Sequence, residues 1–360
     1  MEENKIYICL ANGDVFEGKR FGANGEVTGE LVFTTGMGGY IETLTDPSYF
    51  GQIVMQTFPL IGNYGISEAD FEGKCAVSGY IVREACDAPS NFRCEYTLDT
   101  FLKRNGIPGI CGVDTRDLTK KIREHGVMNA MLADAVPVSI TEIKEYTIQN
   151  AVNSVTRTSP ETFSPESERY RVTLIDYGAK RNIIRELVRR GCTVTAVPAG
   201  TCAAEILAGA PDGIMLSNGP GDPAENTTEI EVLRTLLGKI PIFGICLGHQ
   251  LMALALGAET EKLKYGHRGV NQPVRDMMGT RTYMTSQNHG YAVVPKSLKT
   301  GVLRYINAND GTCEGIDYPE LSAFSVQFHP EACGGPHDTS FLFDRFLAVM
   351  KERRDCDAAR

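Results

Sequence analysis

A cysteine held between two glycines is the first candidate for chemistry in this 360-residue sequence. Cys246 stands in the segment Gly244-Ile-Cys-Leu-Gly248, after a short apolar run and before leucines at helical spacing. This G-x-nucleophile-x-G spacing is typical of a sharp strand-to-helix turn that exposes the nucleophile above a sheet. The open helix end would favour the thiolate. The alternative is a cysteine that only packs in the core, but the paired glycines favour a nucleophile.

A thiol nucleophile needs a base, and the base needs a group that orients it. His329 follows an apolar strand in the segment SVQFHPE, and the carboxyl ends of parallel strands are where ligands collect. Glu331 lies two residues later, so in extended backbone it projects to the same face. A surface histidine beside an acid is the alternative. Together with Cys246 the pair predicts a Cys-His-Glu triad, for which His249 and His289 are weaker candidates.

A glycine-rich loop follows another predicted strand, in LSNGPGDPAEN at 216–226. Asp222 and Glu225 match a capping box, which predicts that a helix begins there. That interpretation does not require both Gly219 and Gly221. Glycines at the carboxyl end of a strand allow backbone N–H groups to approach an oxyanion closely. The loop is therefore either a plain strand-to-helix connection or part of an oxyanion hole.

The elements that must position these residues fall into two patterns. Residues 1–150 begin with short apolar or alternating segments, which predicts a β-rich α/β N-terminal domain, with one well-capped helix between Asp114 and Gly126. Residues 151–169 are poor in large apolar groups and predict a linker. Residues 170–360 alternate strands with helices and then become β-rich, which predicts a doubly wound, mostly parallel sheet.

The composition argues against several classes of function. A net charge of −9 disfavours binding to nucleic acid or to an anionic membrane. The sequence has no apolar run of about 18 residues and no basic signal-peptide start, so we expect a cytoplasmic protein without a membrane anchor. Its eleven cysteines include no C-x-x-C pair, which predicts reduced thiols and no metal site. Neither a dinucleotide fingerprint nor a P-loop occurs.

The segments GICLGHQ, QFHPE and SNGPGDP, in combination, resemble the class I (triad) glutamine amidotransferases. The segments DYGAKRNIIREL, KYGHRGVNQPV, SQNHGYAV and GPHDTSFLFDRF narrow the resemblance to the family of carbamoyl-phosphate synthetase small (glutaminase) subunits. In the first half GYIETLTDPSYFGQIV, PLIGNYG and GVDTRDLTKKIREHG fit the same family. The resemblance thus covers essentially the whole chain.

The resemblance implies a role for each matching residue. Cys246 would attack the side-chain amide of glutamine, His329 would act as base and then acid, and Glu331 would orient His329. The backbone N–H groups of Leu247 and Gly219 would form the oxyanion hole. The L-glutamine-binding positions implied by the family are Ser48, Gly219, Gly221, Leu247, Gln250, Asn288, Gly290 and Tyr291.

Ser48 and Tyr291 differ from the other implied positions. Ser48 lies in an Asp-Pro-Ser turn, and from its local pattern alone it is only a turn serine. The resemblance gives it a substrate contact, and it implies that the first domain closes over the active site. Relatives often have phenylalanine where Tyr291 stands, and if the contact there comes from the backbone, the hydroxyl should matter little.

The resemblance also implies a partner, the large carbamoyl-phosphate synthetase subunit, which would use ammonia, bicarbonate and ATP for arginine and pyrimidine biosynthesis. No cofactor is expected on this chain, while ATP and a divalent metal are expected on the large subunit. Three alternatives stay open: the glutaminase component of another amidotransferase (for example in anthranilate or GMP synthesis), a stand-alone hydrolase or peptidase, and a non-catalytic regulatory subunit.

Overall fold

The computed structural model describes residues 4–332 and 334–358 of the chain. Contacts between Cα atoms divide the chain into two compact units, Met1–Ala151 and Val152–Arg360. Among the described residues, no helix combines the length and the hydropathy that a membrane-spanning segment needs.

The first unit is rich in β-structure, as the sequence predicts. Its strands are β1 (Lys5–Leu10), β2 (Val15–Gly22), β3 (Val27–Thr34), β4 (Gln52–Gln56), β5 (Leu60–Ile61), β6 (Gly79–Ile81), β7 (Glu84–Ala85), β8 (Pro108–Cys111) and β9 (Met128–Ala133). Seven of them form a closed sheet in the order β1-β2-β8-β6-β4-β3-β9. Its helices are α1 (Tyr40–Leu44), α2 (Leu98–Arg104), α3 (Thr115–His125) and α4 (Thr141–Glu145).

Helix α3 confirms the capping pattern in the sequence. The Asp114 side chain accepts hydrogen bonds from the backbone N–H groups of Arg116 and Asp117, which would otherwise lack partners. Leu118 and Ile122 are fully buried on one face of the helix. Gly126 follows the last turn with a φ of 92°, so the chain leaves the helix at a residue that adopts this conformation without strain.

The second unit begins with α5 (Ala151–Val155), whose first residue lies at the boundary. Its remaining helices are α6 (Arg181–Arg189), α7 (Ala203–Ala208), α8 (Thr227–Leu236), α9 (Leu247–Ala255) and α10 (Phe341–Ala358). Its strands are β10 (Glu161–Phe163), β11 (Tyr170–Asp176), β12 (Cys192–Pro198), β13 (Gly213–Leu216), β14 (Ile242–Ile245), β15 (Thr260–Asp276), β16 (Thr282–Val293), β17 (Val302–Asn307), β18 (Cys313–Tyr318) and β19 (Ala323–Val326).

These ten strands form one mixed sheet in the order β10-β12-β11-β13-β14-β19-β18-β17-β15-β16. Five neighbouring strands, β12, β11, β13, β14 and β19, pair in parallel, and the strands on either side of them pair antiparallel. Parallel strands are buried on both faces, which explains their continuous apolar runs. Neighbouring residues of one strand accordingly enter opposite cores: Leu216 packs in the cluster that holds Leu251 of α9, while Met215 packs in the cluster that holds Phe346 of α10. The doubly wound α/β prediction is confirmed.

The long β15–β16 hairpin is the main element that sequence patterns did not predict. The sequence predicts short strands at RTYMTSQ and YAVV, whereas β16 runs without interruption through Asn288 and His289. Its partner β15 carries glycine, histidine and asparagine instead of an alternating apolar pattern, and its pairing shifts register between Lys262 and His267 and between Gly269 and Gln272. Such irregular, polar strands give a weak period-two signal.

Two local features differ from simple expectation. Asp222 does cap, since its side chain accepts from the backbone N–H of Ala224, but the element it starts is a short 3-10 turn at Pro223–Glu225. The α-helix begins later, at Thr227, so the expectation that Asp222 starts the helix was wrong by one turn. The segment 151–169, predicted as a linker, contains α5 and β10. Because β10 pairs with β12, part of this segment is a strand of the second unit's sheet.

Candidate active site

Cys246 occupies the turn between β14 and α9 in a backbone conformation that side chains rarely adopt. Its φ is 53° and its ψ is −104°, outside the well-populated regions, and such strain is concentrated at functional positions. The flanking glycines are sterically required. A Cβ atom on Gly248 would lie 2.6 Å from Leu216 Cβ, and one on Gly244 would lie 2.9 Å from a backbone atom of Gly248. The G-x-C-x-G pattern therefore reflects a turn too tight for larger residues.

The sulfur of Cys246 is buried among polar groups. The residue is 3% exposed. Its Sγ atom donates to the backbone carbonyl of Asn288 at 3.7 Å and accepts from Nε2 of Gln327 at 3.6 Å. Asn288 lies on β16 and Gln327 follows β19, so the hairpin and the parallel sheet both contribute groups to the sulfur.

His329 and Glu331 form a close buried pair just beyond β19. Nδ1 of His329 lies 2.6 Å from Oε1 of Glu331, and the two residues are 1% and 4% exposed. The backbone N–H of His329 donates to the carbonyl of Ser286 on β16, which holds the segment against the hairpin. The short His-x-Glu spacing predicted in the sequence therefore does place the carboxylate on the imidazole.

The imidazole of His329 also interacts with the Cys246 thiol. Nε2 is buried and, among the described residues, forms no hydrogen bond of normal geometry. The Cys246 thiol is nevertheless near enough for its charge and hydrogen bonding to raise the pKa of the ring. Catalytic hydrogen bonds are often loose before substrate binds. The structure thus brings together the three residues that the sequence predicts as a triad.

The electrostatics of the pair favour its charged form. Burial and the charge of Lys180 lower the pKa of His329, but the Glu331 carboxylate and Cys246 outweigh them and raise it to about 9. Burial raises the pKa of Glu331, whereas His329 and Lys180 lower it, and the net direction is downward. An imidazolium next to a carboxylate is therefore the stable state of this buried pair at neutral pH.

Lys180 is a member of this site that sequence reasoning missed. Its Nζ atom lies 3.3 Å from Nδ1 of His329 and 3.6 Å from Oε1 of Glu331, and the residue is 8% exposed. The segment DYGAKRNIIREL contributes to the family resemblance, but no motif in it assigns a role to the lysine. A lysine at a helix start, just beyond the buried strand β11, is the signal that could have identified it.

The two residues implied as oxyanion donors lie side by side. Gly219 follows β13 and Leu247 is the first residue of α9. A Cβ atom on Gly219 would lie 2.4 Å from the carbonyl of Tyr177 and 2.7 Å from Cδ2 of Leu247, so only glycine fits there. Gly221, two residues on, has a φ of 88°. The backbone N–H of Gly248 donates to the carbonyl of Ser217, which links this loop to the cysteine turn.

Several of the implied glutamine-binding positions belong to the hydrogen-bond network that reaches the sulfur. Gln250, one turn into α9, donates from Nε2 to the carbonyl of Tyr291 at 2.8 Å and to Oε1 of Gln327 at 2.9 Å. Asn288, Gly290 and Tyr291 are consecutive or nearly consecutive on β16. The polar residues of the network around Cys246 therefore come from α9, from β16 and from the segment just after β19.

Ser48 belongs to the first unit. It lies in a 3-10 turn at Pro47–Tyr49, is 9% exposed, and its backbone N–H donates to Oδ1 of Asp46 at 2.9 Å. The turn chemistry predicted from Asp-Pro-Ser is confirmed, while its contact with a substrate stays a prediction.

An ion-pair cluster that includes residues of the hairpin was not predicted. His267 Nε2 lies 2.8 Å from Oδ2 of Asp310, and its Nδ1 lies 3.5 Å from Oε1 of Glu314. Burial lowers the pKa of His267, but Glu314 and Asp310 raise it above its ordinary value. His267, His289 and Glu314 are the one set of possible metal ligands found among the described residues. His289 already lies 2.8 Å from the carbonyl of Tyr291 and 3.1 Å from Gln287, so we describe the set as an ion-pair cluster.

Comparison with known proteins agrees with both units. Residues 173–349 match the family model for glutamine amidotransferase class-I, and residues 8–132 match that for the CPSase domain of the carbamoyl-phosphate synthase small chain.

Curated relatives match nearly from end to end. The carbamoyl phosphate synthase small chains of Syntrophotalea carbinolica and Bacillus caldolyticus are each 51% identical, covering 97% of this chain and 99% and 97% of theirs. The carbamoyl phosphate synthase pyrimidine-specific small chain of Halalkalibacterium halodurans is 49% identical, covering 97% of this chain and 98% of its own. The resemblance noted from motifs is confirmed, and the chain belongs to the family of carbamoyl phosphate synthase small chains.

Proposed function

We propose that this chain is the glutaminase subunit of a glutamine-hydrolysing carbamoyl phosphate synthase. It would hydrolyse L-glutamine to glutamate and ammonia and pass the ammonia to a large subunit. That partner would make carbamoyl phosphate from bicarbonate and ATP, for pyrimidine and arginine biosynthesis. The observation that carries the proposal is the strained turn at Cys246, whose thiol interacts with the buried His329 of the His329–Glu331 pair.

The proposed reaction has two halves. In the first, the thiol proton has passed to His329, which acts as the base and becomes an imidazolium, and the thiolate of Cys246 attacks the side-chain amide carbon of glutamine. The tetrahedral oxyanion would be held by the backbone N–H groups of Leu247 and Gly219, a type of contact worth roughly a hundredfold or more in rate. The imidazolium then protonates the departing nitrogen, so the C–N bond breaks, ammonia leaves and a γ-glutamyl thioester remains.

In the second half, water hydrolyses the thioester. His329 accepts a proton from the water, which attacks the thioester carbon, and the C–S bond breaks to release glutamate. The proton returns to the sulfur through His329. Glu331 would stay ionised throughout, holding the ring in place and stabilising its positive charge, as the buried acid does in other triads.

The remaining contacts would recognise glutamine. Gln250, Asn288, Gly290 and Tyr291 would supply amide and backbone groups, and Gly219, Gly221 and Leu247 would supply backbone N–H groups. Ser48 is proposed as a further contact on the strength of the family alone. No cofactor is proposed for this chain, and ATP and a divalent metal are assigned to the large subunit.

The experiment is to co-express the chain with its large subunit and compare two nitrogen sources. We expect Cys246→Ser to abolish glutamine-dependent carbamoyl phosphate synthesis by at least a thousandfold, while synthesis from added ammonia stays within twofold of wild type. Labelling with a glutamine-analogue electrophile should modify Cys246 stoichiometrically. If both activities disappear together in a complex that still assembles, the proposed division of labour is wrong.

The same experiment separates the alternatives. High glutaminase turnover by the isolated chain, with no increase when the large subunit is added, would instead support a stand-alone hydrolase. A Cys246 that resists the glutamine-analogue electrophile while the complex makes carbamoyl phosphate from ammonia alone would support a regulatory subunit.

A further inference from the structure

Gln327 lies between the nucleophile and the residue proposed to bind glutamine. It follows β19, two residues before His329, and is completely buried. Its Nε2 atom donates to Sγ of Cys246 at 3.6 Å, and its Oε1 atom accepts from Nε2 of Gln250 at 2.9 Å. The QFHPE motif implies roles for its histidine and its glutamate but none for this glutamine.

The orientation of both amide groups follows from their partners. Nε2 of Gln250 has two protons, and they go to the carbonyl of Tyr291 and to Oε1 of Gln327. Oε1 of Gln250 is therefore the acceptor that this side chain can offer to a ligand. Since Oε1 of Gln327 faces Gln250, its own amino group must face the sulfur of Cys246.

The simpler interpretation is that the amide of Gln327 only completes hydrogen bonds within the core. Buried amides are usually hydrogen-bonded, so the presence of partners would by itself indicate no function. Here, however, the two partners are the nucleophile itself and a side chain beside it, and the amide joins them in one chain of hydrogen bonds. A donor directed at a sulfur stabilises it more when the sulfur is ionised, because hydrogen bonds to charged acceptors are about twice as strong as neutral ones.

We propose that Gln327 is a positioning residue with two separable effects, an inference that rests on the proposed glutaminase function. Its amino group stabilises the ionised sulfur of Cys246. Its carbonyl oxygen fixes the amide of Gln250, so that Oε1 of Gln250 faces a hydrogen-bond donor of the substrate. Gln327 itself touches no reacting atom of glutamine.

Two substitutions separate these effects. Gln327→Glu keeps an oxygen for Gln250 but places a carboxylate, instead of a donor, against the sulfur. We expect its KM for glutamine to stay within about twofold of wild type, while kcat and the rate of alkylation by iodoacetamide at pH 7 each fall about tenfold or more, since a hydrogen bond to a charged group is worth roughly that much. Gln327→Met loses both contacts at similar volume, and we expect KM to rise about tenfold in addition.

Ser325→Ala is the matched control. Ser325 lies on the same strand, is 1% exposed, and bonds to Nδ1 of His249 rather than to the sulfur. All variants would be measured in the complex with the large subunit, with thermal unfolding to compare their stability. The control should lose stability without any change in alkylation rate or in the ratio of KM to kcat.

The outcomes are distinguishable. If both Gln327 variants keep wild-type kcat, KM and alkylation rate within twofold, or if Ser325→Ala shifts these parameters as much, the inference is overturned. If Gln327→Met does not fold, the KM-against-kcat split of Gln327→Glu decides alone. If wild-type complex has no glutaminase activity, the proposed function fails, whereas the iodoacetamide rates still report on the contact between Gln327 and the sulfur.

Discussion

Nδ1 of His329 lies 2.6 Å from Oε1 of Glu331, and neither side chain has appreciable contact with solvent. In a buried environment with a low effective dielectric constant, the interaction between an imidazolium and a carboxylate is much stronger than at the surface. The pair is therefore most stable with both members charged, which is the state a thiol nucleophile next to it requires.

We predict that Glu331→Gln lowers kcat for glutamine hydrolysis about a hundredfold, in the range typical of lost acid–base assistance. Burial and Lys180 already lower the pKa of His329, and the carboxylate is the largest contribution that opposes them. Without it the pKa of the ring should fall, and the alkaline limb of the pH–rate profile should move to lower pH. Glu320→Gln, an exposed position near β19, is the control and should leave the profile unchanged. An unshifted alkaline limb in Glu331→Gln would contradict the assignment.

We predict the opposite displacement for Lys180→Met. The ammonium of Lys180 lies 3.3 Å from the imidazole and lowers its pKa, so removing this charge should raise the pKa of His329 further. The alkaline limb should move to higher pH. The value of kcat should fall about tenfold, because the change alters how the proton is shared between the thiol and the imidazole. Lys239→Met, on the exposed surface after α8, provides the comparison. Limbs moving in the same direction for Lys180→Met and Glu331→Gln would show that these charges do not act on His329 as described.

The stability of the second unit should decrease between neutral and alkaline pH. The folded pKa of His329 is about 9, above its ordinary value of 6.5, so the native state binds this proton more tightly than the unfolded chain does. The resulting stabilisation is complete below pH 6.5 and is lost as the pH rises through about 9. Urea unfolding of wild type and of His329→Asn at pH 6, 7.5 and 9.5 measures it. We expect the two curves to converge at the highest pH, and a constant difference across the range would refute the prediction.

Gly248→Ala should destabilise the second unit despite the higher helix propensity of alanine. The added Cβ atom would lie 2.6 Å from Leu216 Cβ and 2.7 Å from the Leu216 carbonyl, so β13 or α9 must move. Overpacking of this kind costs about 1–3 kcal/mol, which corresponds to a decrease in Tm of about 2–4 °C per kcal/mol for a unit of this size. Differential scanning calorimetry would measure it. Gly200→Ala, where nothing lies within 4 Å of the added atom, should leave Tm unchanged within a degree or so.

The tight turn at Cys246 and the His329–Glu331 pair could be predicted because their signals are local. Gly244 and Gly248 mark the turn around Cys246 through steric demands within a few residues, and His329 with Glu331 has a fixed spacing just after an apolar strand. Lys180 and Gln327 could not be found in this way. Each acquires its role only when strands distant in sequence become neighbours, and a lone lysine or glutamine carries no pattern that announces such contacts.

The strands of the second unit also differ in how strongly the sequence signals them. The parallel strands of the second unit are continuous apolar runs, which sequence patterns detect well. The β15–β16 hairpin is polar and bulged, and some of its residues form ion pairs, such as His267 with Glu314. Its strands therefore lack the alternation that normally marks a half-buried sheet, although they carry Asn288 and Tyr291.

The backbone at Cys246 is fixed on both sides, since its own N–H donates to Val326 and the N–H of Gly248 donates to Ser217. The direction of the sulfur is thus decided by main-chain geometry before any ligand arrives. A nucleophile aimed in advance cannot distinguish one small electrophile from another by adjusting its position. Discrimination among amides must then lie in the surrounding side chains, which makes the pocket wall, rather than the turn itself, the place to redesign if a different amide is to be cleaved.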